Sequence, residues 1–79
     1  MAIGGWITMA TDIILNTIRK HRFEKNEMTQ QELADGAGCT RQTIVALEAG
    51  RYTPSLGLAF RIAKIFGSGL EEIFEYRES

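Results

Sequence analysis

Residues 29–50 read TQQELADGAGCTRQTIVALEAG, and this stretch decides the fold because it spells two short helices around a glycine-bearing turn. Thr29 is a good N-cap and Glu32, three residues later, completes a capping box, so a helix is predicted from Gln30 with Leu33 and Ala34 turned inward. Gly36 and Gly38 are expected to stop it. Thr40 caps a second helix, with Thr43 where a full box has a carboxylate, and Ile44 and Leu47 fall three apart on its inward face. Arg41, Gln42, Val45 and Ala46 are left pointing elsewhere.

Arg and Gln at the first outward positions of a helix are the side chains that make paired hydrogen bonds to guanine and adenine edges in a major groove. With these residues the stretch resembles the helix-turn-helix of the lambda-repressor-like and Cro-like regulators, the XRE type. The likeness extends to Ile18-Arg19 and His21-Arg22-Phe23 upstream, to Gly50-Arg51-Tyr52 after the second helix, and to PSLGLAFRIAKIFG from Pro54 to Gly67. It is strongest with small stand-alone members that carry TRQTI and end in an FEY-like tail. The resemblance implies an all-α, five-helix DNA-binding domain.

It also implies roles for particular residues. Arg41 and Gln42 stand where the family reaches base edges, with Val45 and Ala46 one turn further on and Val45 able to pack on a thymine methyl. Gln30 opens its helix, at an N-terminus that favours an anion. The resemblance adds Thr40, Thr43, Arg51 and Tyr52 as phosphate contacts, which set register and affinity but carry no sequence preference. Arg22 and Glu48 are placed as a pair that orients the first helix against the recognition helix.

Length and composition agree with one small domain. Seventy-nine residues bury only about 60% of their unfolded surface, so stability is expected to be marginal and a partner chain would help. With 44% hydrophobic and 24% charged residues the chain is ordinary globular sequence. The apolar opening MAIGGWITMA lacks preceding basic residues and a cleavage site and is too short to span a bilayer; a cytoplasmic protein without membrane association is expected. The net charge of −1 hides an asymmetry: residues 16–64 hold eight Lys/Arg against five Asp/Glu, residues 65–79 one against four. A basic body beneath an acidic tail is compatible with phosphate binding.

Five helices can be placed. Asp12 is expected to cap the first, which runs to about Lys25 with Ile14, Ile18 and a half-buried His21 on one stripe. Met28 precedes the Thr29 cap as a staple to Leu33. Pro54 and Ser55 open the fourth helix, with Leu58, Ile62, Ile65 and Phe66 on its core side and Arg61 and Lys64 facing out. Gly57 within it has no evident need. Leu70, Ile73 and Phe74 make a short fifth helix. The predicted organisation is therefore a leader over residues 1–11, a helix-turn-helix domain over 12–74, and a tail over 75–79. FEYRES is open to three readings: an edge strand, a disordered tail or a dimer contact. The leader, with Ile3, Trp6 and Ile7, is either an extension or a segment that packs on a partner chain.

No catalytic or metal chemistry is indicated. The single Cys39 excludes an internal disulfide and a cysteine-based zinc site; it reads as a small buried hydrophobe, with a redox-sensing thiolate as the alternative. The carboxylates are scattered, there is no phosphate-binding glycine loop, and no nucleophile stands beside a base. An enzyme is not expected, nor a cofactor.

One recognition helix reads only a few base pairs, so useful discrimination requires two half-sites about 34 Å apart. The expected function is sequence-specific transcriptional regulation, by repression, through a homodimer on double-stranded DNA at a pseudo-palindromic operator. Leu70, Phe74 and Tyr76 are the expected dimer contacts. With no room for a ligand-sensing domain, control is expected through concentration, a protein partner or the operator. A protein-interaction module, antitoxin-like or associated with a membrane protein, is the alternative function, motivated by the Trp6 leader and the FEY tail.

Overall fold

The computed structural model describes residues 12–78. In chain order its elements are β1 (Asp12–Asn16), α1 (Ile18–Glu24), α2 (Gln30–Ala37), α3 (Arg41–Glu48), α4 (Leu56–Phe66), α5 (Leu70–Ile73) and β2 (Phe74–Glu78). The five helices form the body. The two strands pair antiparallel, from Asp12 opposite Glu78 to Asn16 opposite Phe74.

The helix-turn-helix is fixed by local chemistry. The Thr29 hydroxyl accepts from the Glu32 N–H and the Glu32 carboxylate accepts from the Thr29 N–H, at 3.0 and 2.8 Å. This closes the box that starts α2. Gly38, at φ 74°, ends the helix in the left-handed conformation that glycine adopts without strain. Gly36 lies inside α2 and does not stop it; a Cβ there would meet Ile65 Cδ1 at 3.2 Å, so its role is the close approach of α4. Thr40 and Ser55 cap α3 and α4 through the N–H groups of Thr43 and Leu58.

Behind these helices lies one apolar core. Ile18, Leu33, Ala34, Ala37, Ile44, Leu47, Leu58, Ile62, Ala63 and Ile73 are buried in it, with Met28, Cys39, Ile65 and Phe66 packed at its margin. Ile44 and Leu47 press the back of α3 into the core, so the opposite face of that helix must be outward. His21 is half-buried against the Phe66 ring, centroids 5.3 Å apart, and its Nδ1 lies 2.9 Å from the Thr17 carbonyl.

The first helix does not begin at Asp12. Residues 12–16 are the strand β1, and α1 starts at Ile18, where the Asn16 side chain accepts from the Ile18 N–H at 3.2 Å. The apolar run Ile13-Ile14-Leu15 suits a strand as well as a helix, and pairing with a segment some sixty positions later decides the contest. Ile14 therefore leaves the helical stripe and joins the ribbon. At the other end Phe74 begins β2 instead of ending α5, and residues 75–78, set apart above as a tail, are paired with β1. Arg61 does not simply face solvent: its Nε donates to the Ala37 carbonyl at 2.8 Å, tying α4 to the end of α2. The leader, residues 1–11, lies outside the described residues.

Candidate nucleic-acid interface

The candidate surface is the outer side of α3 with the start of α2 and the loop after α3. Arg41 and Gln42, in the first turn of α3, are exposed, and Val45 and Ala46 are partly exposed one turn on. Their outward direction follows from the burial of Ile44 and Leu47. Thr40 and Thr43 sit at the same helix end with their hydroxyls 3.0 Å apart. Arg51 and Tyr52 follow the helix and are exposed, after Gly50 turns the chain at φ 77°.

A polar network holds this face in place. Arg22, only 7% exposed, donates from Nε to Glu48 Oε2 at 2.6 Å and from Nη2 to Oε1 at 3.1 Å. Its Nη1 donates to the Met28 carbonyl at 2.8 Å. Gln30 Nε2 donates to Glu48 Oε1 at 3.1 Å. A charged carboxylate only accepts, so the Gln30 amide is oriented with its NH2 towards Glu48 and one N–H left for an outside acceptor. The end of α3, the middle of α1 and the start of α2 are thus joined through three side chains. Asn16 adds a fourth tie, from Nδ2 to the Leu47 carbonyl at 2.9 Å.

Beside this network lies an open depression of about 510 Å³ whose lining includes Arg19, Lys20, Gln30, Val45 and Glu48. It brings two cations of α1 to the edge of the α3 face. Arg19 lies over the Phe23 ring, 5.3 Å from its centroid. Nothing local in the sequence places either cation on this side; their position follows from how α1 crosses the end of α3.

Leu70, Phe74 and Tyr76 do not line that depression, although Phe74 pairs with Asn16, which does. Leu70 and Phe74 line an apolar groove of about 230 Å³ with Ile14, Pro54, Leu56 and Ala59. Tyr76 lies opposite Ile14 in the ribbon and is 55% exposed. Cys39 is partly buried beside the core, and burial pushes its thiol up while Arg61 pulls it down by less. That balance opposes a reactive thiolate. Among the described residues no group of three or more His, Cys, Asp or Glu side chains could hold a metal, and no helix is long and apolar enough to cross a membrane.

Comparison with known proteins gives the family and the fold. The chain is 49% identical over 63 residues to an uncharacterized HTH-type transcriptional regulator of Methanocaldococcus jannaschii, covering 80% of this chain and 94% of the relative. It is 59% identical over 58 residues to another from Methanothermobacter thermautotrophicus, covering 72% and 83%. The cryptic phage CTXphi transcriptional repressor RstR of Vibrio cholerae is 32% identical over 62 residues, 78% of this chain and 55% of that protein. A crystal structure from Bacteroides fragilis shares the fold, with a TM-score of 0.71 at 24% identity over 80% of this chain and 100% of that one. The helix-turn-helix family model matches residues 18–73, from the first residue of α1 to the last of α5, and the chain belongs to that family.

Proposed function

We propose that the chain is a sequence-specific DNA-binding transcriptional regulator that represses by occupying a pseudo-palindromic operator as a homodimer. The observation that carries this reading is the exposed first turn of α3, held from behind by the core and from its far end by the Arg22–Glu48–Gln30 network. A helix so fixed can enter a major groove without first being ordered, which lowers the entropic cost of binding. Arg41 and Gln42 then meet base edges, Val45 and Ala46 make the apolar contacts, and Gln30, Thr40, Thr43, Arg51 and Tyr52 meet phosphates. Arg19 and Lys20 extend the phosphate surface on the α1 side.

Repression is the mode suggested by the relative named as a transcriptional repressor, and the cytoplasm, where the chromosome is, is the proposed place of action. The homodimer reading rests on the need for two half-sites and on the apolar surface around Leu70, Phe74 and Tyr76. Selection of duplexes bound by the full chain, followed by footprinting, tests the whole. The expected result is an enriched dyad whose half-sites are about one helical turn apart. Failure to enrich any sequence would sink the reading, and enrichment of a single unpaired site would remove the dimer from it.

A further inference from the structure

The ribbon of β1 and β2 exposes both apolar and charged side chains, the charged ones Glu75, Arg77 and Glu78 of β2. Ile13 and Leu15 are each 37% exposed on one face and Tyr76 is 55% exposed on the other. A two-stranded ribbon is marginal by itself in water. Among the described residues no third strand lies along either outer edge, and such an edge is a template for another strand.

We propose that a second copy of the chain occupies the β2 edge, joining the two ribbons into one four-stranded antiparallel sheet in the order β1, β2, β2 and β1, with Tyr76 on the two-fold axis. The inference rests on the homodimer reading above and names the surface. Its ground is the charge pattern of Phe74-Glu75-Tyr76-Arg77-Glu78. An antiparallel pairing of this strand with itself, centred on Tyr76, puts Glu75 opposite Arg77 of the second copy and Arg77 opposite Glu75 of the second copy. That is the self-complementarity an isologous contact requires. The two side chains are available at the surface, 61% and 58% exposed and 3.1 Å apart within one chain.

The same charges oppose a slip of the register towards the C-terminus. Moving the pairing one position towards the C-terminus sets Glu75 against Glu78, which is repulsive. The β1 edge has no such code: centred on Ile14, it would set Ile13 against Leu15 with no charge to fix the register. The phase of the ladder also suits the β2 edge. The Thr17 N–H donates to the Ile73 carbonyl at 2.9 Å, so by alternation the peptide groups of residues 75 and 77 face β1. In the new pairing Glu75 and Arg77 then hold the positions without mutual main-chain bonds, where opposed side chains approach most closely. The sheet is coupled to the reading head, because Asn16, the last residue of β1, bonds the Leu47 carbonyl of α3.

The test is a charge exchange read by sedimentation equilibrium on the full chain, with circular dichroism to show that each variant is folded. Glu75→Arg and Arg77→Glu should each weaken self-association about tenfold or more, since two attractive pairs become repulsive. An equimolar mixture of the two variants should recover a heterodimer of near wild-type affinity, because both cross-strand pairs are then opposite in sign. Loss of the pair within one chain predicts no such recovery. Folded single variants that dimerise like the wild type, or a mixture that stays monomeric, overturn the sheet. A wild-type chain that remains monomeric with and without its selected DNA overturns the homodimer reading itself.

Discussion

Arg22 and Glu48 stand 26 positions apart in sequence and meet through two hydrogen bonds, at 2.6 and 3.1 Å, at the junction of α1 with the end of α3. The guanidinium and carboxylate are 8% and 11% exposed as side chains, so both have given up most of their water. Such a pair contributes little net stability against an apolar replacement, yet removing one member leaves a buried charge unpaired. Its value here is geometric: Glu48 also receives Gln30, and Arg22 also holds the Met28 carbonyl.

Glu48→Ala is expected to destabilise the fold by about 3–5 kcal/mol, and Arg22→Ala by a similar amount. The double replacement should cost clearly less than their sum, because the second change removes the charge that the first one stranded. Urea unfolding of all four proteins measures the coupling. Strict additivity would mean that the two side chains do not share one buried interaction.

Leu47→Ala should cost about 2–5 kcal/mol, since Leu47 is 2% exposed and its truncation leaves a cavity between the helix-turn-helix and the rest of the core. A urea midpoint equal to that of the wild type would show that the inward face of α3 has been assigned wrongly.

Gly57→Ala should stabilise the protein by about 0.4–1 kcal/mol. Gly57 is within α4, outside the positive-φ glycines, and an added Cβ would meet only Arg61 Nη1, at 3.4 Å. The guanidinium end can move while its Nε keeps the Ala37 carbonyl. A lowered melting temperature would instead show that the Arg61 contact tolerates no displacement.

The parts of this fold that were legible in the sequence are those decided within a few residues. Thr29 with Glu32, Thr40, Ser55, Gly38 and Gly67 fix helix ends by local hydrogen bonds and backbone conformation, and such signals survive in a string of letters. Strand β1 was not legible, and β2 only as one of three readings of FEYRES, for the converse reason. Asp12–Asn16 offers no turn partner nearby, and its ladder is completed by Phe74–Glu78 at the other end of the chain. At the candidate interface, the outward direction of Arg41 and Gln42 followed from helix phase, and their proposed DNA role from the resemblance. The ties made by Asn16 and Arg61, and the place of Arg19 and Lys20, depend on how helices cross and had no local mark.

On the proposed reading, the contrast that tests the docking of α3 is between Gln42 and Arg51. Both side chains are exposed, but Gln42 is in the first turn of α3 and Arg51 lies beyond its end. A Gln side chain offers a donor and an acceptor to adenine, so Gln42→Ala should lose about 1–3 kcal/mol on the selected site and relax the preference at one base pair of each half-site. On a scrambled duplex it should change little. Arg51→Ala should weaken both duplexes by a similar factor, and the slope of log affinity against log salt should become shallower by about one for each lost contact. Titrating both variants on both duplexes at several salt concentrations separates the two effects. If Gln42→Ala weakens both duplexes equally while Arg51→Ala alters base preference, α3 enters the groove in a different register, with the loop after it closer to the bases than its first turn.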